Sequence, residues 1–400
     1  MKVTFIVPCY HNQWEALGVG YIISYCKLVG VEYSFFQAYF DSEEEIIAEA
    51  KTSDIVAFSC TSPTFDHGVR LAKAIGKHSV FGGWHVTALK EMALVDGVDQ
   101  IIIGEGEFAF LDIINGNRNK IVVGLPIENR LWPNRDAIKN ERTVDLCERM
   151  IGKRIASFQA TRGCPFNCAF CGEKTMSGNK IRTRPIKDLL EEIDFVKKKY
   201  KLDLFKFVDA TFDARPNYVI DFCRQKKANR IKTEWECMVH AQTATEEMIA
   251  SLKDANCNQI NIGCESGSYK ILRDIRKCVS VDKIAKVFEW AKKYKINTRG
   301  FFLVGMPNET MEDIEMTKEF IQRIQPGMYG VTILCPYPGC DFYNHETMKD
   351  IAWDKTDEYG NDFWSTPNAT NEELHRRQNY LINTETEKVK RQNERPVNSI

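Results

Sequence analysis

No stretch of these 400 residues stays apolar for the ~18 residues a membrane-spanning helix needs, so no bilayer span is expected. The opening Met1-Lys-Val-Thr-Phe-Ile-Val-Pro-Cys is too short and too β-branched for a secretory leader, and a cytoplasmic protein is expected. An excess of one charge is missing too. The 54 basic and 55 acidic residues leave a net charge of −1, so there is no broad electrostatic footprint for nucleic acid or anionic lipid. A disulfide framework is also lacking. Most of the 14 cysteines stand alone in apolar segments, among them Cys9, Cys26, Cys60, Cys223, Cys257 and Cys264. That pattern suits a reducing compartment, and each scattered thiol is read as a small buried hydrophobe.

What is present is an ordinary globular composition, 44% apolar and 27% charged, long enough for two or three domains. Residues 1–115 alternate strand-like and helix-like runs. Strands are predicted at Val3–Val7, Val31–Phe36, Ile55–Ser59, His78–Phe81 and Gln100–Ile103. Helices are predicted at Gly18–Leu28, Ser42–Lys51, Asp66–Gly76 and Ala88–Leu94. Glu45, three residues after Ser42, makes a capping-box spacing. This order predicts a Rossmann-like, doubly wound parallel sheet whose ligands sit at the carboxyl ends of the strands. Residues 116–153 read as an irregular connector with Pro126, Trp132 and Pro133.

Alternation resumes over residues 154–340. Strands are predicted at Ala156–Ala160, Leu204–Val208, Thr233–Met238, Gln259–Ile262, Thr298–Val304 and Gly330–Leu334, with helices between them. Six such repeats predict a partial (β/α)6 barrel and an α/β fold overall, with chemistry at the strands' carboxyl ends. Residues 341–400 read as an extension with one helix, Asn371–Leu381, and then a frayed polar tail.

One cluster carries chemistry. Cys164-Pro-Phe-Asn-Cys168-Ala-Phe-Cys171 follows the first barrel strand and the turn Thr161-Arg-Gly163. Three thiolates this close can wrap one cubane and leave one iron open for a ligand. The alternative is a structural zinc knot, but no second Cys-x2-Cys or His pair follows, as such knots require. Phe166 and Phe170 would shield a cluster from water, which bears on its potential.

The Cys-x3-Cys-x2-Cys spacing resembles the motif of the radical S-adenosylmethionine (SAM) superfamily. The resemblance implies a [4Fe–4S] cluster on Cys164, Cys168 and Cys171, with SAM chelating the open iron and cleaved to an adenosyl radical. It extends along the barrel. Phe207-Val-Asp209-Ala-Thr211-Phe-Asp213 is similar to the family's acidic segment, which places Asp209 or Thr211 near the SAM amino group or the substrate. Asp213 reads equally as a helix N-cap. Asn261-Ile-Gly-Cys-Glu265-Ser266-Gly267 is similar to the Gly-x-Glu-Ser segment, which places Glu265 and Ser266 near the SAM ribose and carboxylate. Gly300-Phe-Phe-Leu-Val-Gly305-Met-Pro-Asn-Glu309 is similar to the glycine-rich segment whose backbone approaches adenine at Gly305. Glu309 itself reads as a first-turn helix residue. Phe170 completes the expected SAM contacts. Leu334-Cys-Pro336-Tyr-Pro338-Gly339 is similar to a closing architectural segment. One departure stands out: where many relatives carry an arginine that grips SAM, this chain offers His240 and Gln242.

Residues 1–110 resemble the cobalamin-binding domain of the B12-dependent radical SAM class. The resemblance rests on Leu17-Gly-Val-Gly20-Tyr21, Ser59-Cys-Thr61-Ser62-Pro63-Thr64, Gly82-Gly83-Trp84-His85 and Gly104-Glu105-Gly106-Glu107. It implies cobalamin contacts at Ser62, Pro63, Thr64, Gly82, Gly83, Glu105 and Gly106. The Asp-x-His-x-x-Gly motif of other cobalamin domains is absent, since Asp66-His67-Gly68 is contiguous, so no lower cobalt ligand is assigned. The implied activity is methyl transfer to an unactivated carbon of a small-molecule or peptide substrate, fed by an external one-electron reductant such as flavodoxin or ferredoxin. Two alternatives stay open: a cobalamin-independent radical SAM enzyme (rearrangement, cyclisation or oxidation), and a non-catalytic iron–sulfur sensing module. A methylthiotransferase is disfavoured, because Cys9, Cys26 and Cys60 read as buried rather than as a second triad. No residue is singled out as a catalytic acid or base.

Overall fold

Successive residues of the first apolar runs turn to opposite faces of one sheet, as the two-residue strand period requires. Val3, Phe5, Ala57, Val80 and Ile102 enter one core, and Ile6, Val56, Phe58, Phe81 and Ile101 enter another. The computed structural model describes residues 1–8, 14–128, 130–356 and 359–386, so Cys9 and the tail beyond 386 lie outside the described residues. By its contacts the chain divides into two compact units. The first comprises Met1–Leu146, Gly172–Gly178 and Tyr337–Lys355. The second comprises Cys147–Cys171, Asn179–Pro336 and the residues from Thr356 onward.

In the first unit the strands are β1 (Lys2–Val7), β2 (Glu32–Gln37), β3 (Ile55–Ser59), β4 (His78–Gly82), β5 (Gln100–Gly104) and β6 (Ile121–Gly124). They lie parallel in the order β2-β1-β3-β4-β5-β6. The order reverses direction between β1 and β3, the kind of place where doubly wound sheets bind ligands. Helices α1 (Leu17–Leu28) and α5 (Gly106–Ile114) feed one core. Helices α2 (Glu43–Ala50), α3 (Ser62–Ile75) and α4 (Trp84–Leu89) feed the other.

Several boundaries differ from the sequence expectation, for local reasons. Helix α3 starts at Ser62 rather than Asp66, because Thr61 and Thr64 form a capping box around Pro63. Helix α4 starts at Trp84 rather than Ala88, immediately after Gly83 with φ +100°. Strand β6 and a helix at Glu141–Ile151 lie in the stretch read as irregular. The strand is only four residues long and follows a run of asparagines; the helix spaces Val144, Cys147 and Ile151 at helical intervals but buries only Thr143 and Val144, and it follows a stretch broken by prolines and asparagines.

In the second unit β7 (Ile155–Phe158), β8 (Leu204–Phe207), β9 (Glu234–Val239), β10 (Cys257–Glu265), β11 (Asn297–Val304) and β12 (Met328–Ile333) pair in parallel, each with its sequence neighbour. This is a partial barrel with β7 and β12 at its edges. The intervening helices are α6 (Ile186–Tyr200), α7 (Pro216–Ala228), α8 (Glu246–Asp254), α9 (Val281–Lys293) and α10 (Met311–Ile324). Trp235, Cys237, Ile260, Ile262 and Phe302 are buried, whereas Lys206, Glu236, Gln259, Asn261 and Arg299, on the alternate face, are only half-buried. One face is therefore core and the other is a polar lining. Helix α11 (Asn371–Ile382) and its approach cover the β12 edge: Gln378 donates to the Val331 carbonyl at 2.9 Å, and the Ile333 amide donates to the Tyr359 carbonyl at 3.2 Å. Among the described residues no helix is long and apolar enough to cross a membrane.

Candidate functional site

The cysteine loop of the second unit is held from three sides. After β8, Asp209 accepts the Ala160 amide at 3.2 Å and also the Thr161 amide. This buried carboxylate braces the backbone that leads into the cysteines, so its first task is positioning. Two residues on, the Thr211 hydroxyl lies 3.1 Å from the Cys164 sulfur. From beyond β10, the Ile275 carbonyl takes the Ala169 amide at 2.9 Å, and Arg276 Nε donates to the Asn167 carbonyl at 3.0 Å.

Glu265 ends β10 with φ +61°, a conformation rare for a residue with a side chain. Its carboxylate meets the Lys277 ammonium at 2.6 Å, and both side chains are only 8% exposed. Burial works against the lysine's charge, but Glu265 and the thiols of Cys168 and Cys264 hold its pKa above the ordinary range. The Lys277 nitrogen also lies 5.9 Å from the centroid of the Phe170 ring. Burial pushes the Cys168 thiol up to about 12, with Lys277 the neighbour that opposes the shift. This thiol becomes a ligand only where a metal takes its proton's place.

Ser266 turns inward. It is fully buried, its hydroxyl pairs with Thr317 at 3.1 Å, and it accepts the Ser268 amide at 3.1 Å. The hydroxyl expected at the SAM ribose is thus engaged with α10. Asp213 is not a helix cap. It accepts the His240 amide and the Thr243 hydroxyl, each at 2.9 Å, and burial pushes its pKa up to about 7. His240 stacks on Phe166 with ring centroids 3.7 Å apart and planes 12° apart. Burial, followed by the charge of Lys277, drives the imidazole down to about 3, so it is neutral at any ordinary pH.

Gly305, at φ +89°, has both backbone polar atoms engaged. Its amide donates to Glu309 at 2.7 Å, and its carbonyl accepts from the Trp364 indole at 2.8 Å. Glu309 precedes the helix instead of opening it. It is 1% exposed, and burial pushes its pKa up to about 7.

In the first unit the expected residues stand where β3, β4 and β5 end. A side chain on Gly83 would meet the Cys60 carbonyl at 2.5 Å, and its φ of +100° also favours glycine. Ser62 and Thr64 lie in the first turn of α3, where Pro63 is accommodated as a helix opener. The Ser62 hydroxyl pairs with His85 Nδ1 at 2.9 Å. His85 stacks near Phe65, and burial lowers it to about 4. Glu105 directly precedes α5 and its carboxylate accepts the Ile127 amide at 2.9 Å, while Gly106 sits tight against Ile22. The Trp84 ring lies against Gly172, Thr175 donates to the Gly339 carbonyl at 3.1 Å, and Lys174 pairs with Asp341 at 2.6 Å.

Residues 158–321 match the family model of the Radical SAM superfamily, and residues 3–114 match that of the B12 binding domain. The chain carries a radical SAM domain with a B12 binding domain ahead of it. An uncharacterized methyltransferase of Pyrococcus horikoshii is 26% identical over 322 residues, 74% of this chain and 70% of the relative. The anaerobic magnesium-protoporphyrin IX monomethyl ester cyclase of Rubrivivax gelatinosus is 24% identical over 389 residues, 86% of this chain and 69% of the relative. Among solved structures, the radical SAM methyltransferase TsrM of Kitasatospora setae, with cobalamin and a [4Fe-4S] cluster bound, superposes with a TM-score of 0.71. That match has 15% identity and covers 85% of this chain and 76% of the other; at that identity it speaks for the fold.

The chemistry of the cysteine loop suits an iron–sulfur cluster. Three thiols stand on one loop, with a hydroxyl at Cys164 and a buried cation beside Cys168. Among the described residues no three His, Cys, Asp or Glu side chains close on a single-ion position; cubane ligands sit on three separate irons and need not. Sequence reasoning missed Lys277. A buried glutamate demands a cation, but Arg273, Arg276 and Lys277 all follow, and spacing does not choose among them. Missed too were Thr317 behind Ser266 and Trp364 behind Gly305.

Proposed function

We propose that this chain is a cobalamin-dependent radical SAM enzyme that methylates an unactivated carbon of a small-molecule or peptide substrate. The observation that carries the reading is a three-cysteine loop at the exit of the first barrel strand, in a chain whose residues 3–114 match a B12 binding domain. When bound, the cluster supplies the electron that cleaves SAM, and cobalamin carries the methyl group. The chain's own part is positioning. Cys164, Cys168 and Cys171 hold the cluster, braced by Asp209 and Arg276. Phe170, Thr211, Glu265 and Gly305 shape the SAM side, with Ser266 behind them. Ser62, Pro63, Thr64, Gly82, Gly83, Glu105 and Gly106 shape the cobalamin side. In this reading 1–115 is the cobalamin domain, 116–153 a connector, 154–340 the radical SAM barrel and 341–400 an extension. A flavodoxin- or ferredoxin-class protein supplies electrons.

Iron and cobalt per chain, after anaerobic production with hydroxocobalamin, test it. About four irons and about one cobalt, with label passing from methyl-labelled SAM to product, are expected. Full iron without cobalt would overturn the cobalamin part. Zinc in place of iron would overturn the whole. The 24% identity to a cyclase across 86% of this chain favours a second outcome, cyclisation, which the same assay would show as SAM cleavage without transferred label.

A further inference from the structure

We propose that His240 is a SAM-binding residue: a neutral imidazole whose Nε2–H donates to an oxygen of the SAM carboxylate. The inference rests on the radical SAM reading and deepens it.

His240 directly follows β9, at the carboxyl end of the strand. Its Nδ1 accepts the Gln242 amide at 3.3 Å, which requires a lone pair there and places the ring proton on Nε2. That Nε2 is buried and has no hydrogen-bond partner, in a residue 9% exposed. The rest of the turn is satisfied. The His240 amide goes to Asp213, its carbonyl takes the amides of Thr243 and Ala244, and the Thr243 hydroxyl closes onto Asp213. A loose turn therefore does not explain one orphaned donor. The ring is also locked: it stacks face to face on Phe166, between Cys164 and Cys168. Lys277 is the charged neighbour of this imidazole. A buried donor held in one orientation and left without a partner suits an oxygen acceptor, and the strongest acceptor that SAM offers is its carboxylate.

The test is SAM affinity by equilibrium dialysis on cluster-loaded protein, with the electron paramagnetic resonance spectrum of the reduced cluster before and after SAM as a second readout. His240→Phe keeps a ring for Phe166 and removes the donor; His240→Gln keeps an N–H. The expected result for His240→Phe is full iron, a SAM Kd raised about tenfold to a hundredfold, as for loss of one hydrogen bond to a charged group, and a weakened spectral response to SAM. His240→Gln recovers most of the affinity. Affinity within about twofold of wild type in an iron-replete His240→Phe protein would overturn the inference and leave the radical SAM reading intact. Equal loss in both variants would assign His240 a packing role and overturn it as well. Wild-type protein with a full cluster and no SAM uptake would sink both readings.

Discussion

Around the cysteine loop of the second unit, the groups that matter carry charge and find their partners on other elements: Glu265 on Lys277, Asp209 on the Ala160 and Thr161 amides, Asp213 on His240 and Thr243. At the strand ends of the first unit, the expected residues are glycines and hydroxyls fixed by backbone approach and helix capping, with Gly83 against Cys60 and Thr64 against Thr61. The first arrangement suits small, charged, tightly oriented ligands such as a cluster and SAM. The second suits a large, largely neutral ligand that needs close backbone access along its edge. The difference also implies separate failure: damage to one site leaves the other loaded.

Four changes test that separation. Cys168→Ala removes a cluster ligand, so iron and SAM cleavage fall to background while cobalamin uptake persists; loss of both cofactors together would break the comparison. Lys277→Met strands the Glu265 carboxylate, at a cost of about 3–5 kcal/mol in urea unfolding. The double variant with Glu265→Gln recovers most of this, and a double no better than the single would show that the pair is not the cause. Glu309 gives a pH signature. Its folded pKa of about 7 lies above the ordinary 4.5, so the folded state holds the proton more tightly. Its contribution is complete below pH 4.5 and falls away as pH rises to about 7, by an amount on the order of 3 kcal/mol. Glu309→Gln flattens that slope in unfolding at pH 5 and 8. Gly83→Ala forces an unfavourable φ and a clash with Cys60, at about 1–3 kcal/mol, and cobalt content falls while iron holds.

The same contrast explains what could be read from the sequence. The three cysteines are legible because all of them fall in one short loop at a recognisable spacing. The parallel sheets are legible because buried strands announce themselves as apolar runs. Lys277 is not, because its partner Glu265 stands 12 residues earlier in the chain and any nearby base satisfies the pattern. Ser266 sits in a recognisable segment, but its hydroxyl faces Thr317, and a motif does not say which way a side chain turns. Glu309 looks like a helix opener until the fold shows it bent back onto Gly305. The strand Ile121–Gly124 is quiet because it is four residues long; the helix Glu141–Ile151 does carry apolar residues at helical spacing, Val144, Cys147 and Ile151, a signal that the prolines and asparagines before it obscure.

The piece of chain directly after Cys171, and the stretch from Tyr337 to Lys355, both belong to the first unit. During synthesis, residues 1–146 emerge from the ribosome first, but their unit lacks its last parts until residue 355 has been made. The helix that opens at Trp84 waits for Gly172, and Thr175 in turn waits for Gly339. A gene fragment ending near residue 146 therefore yields a unit without Gly172–Gly178 and Tyr337–Lys355. The first unit has all of its chain only after residues 172–178 and 337–355 have been made.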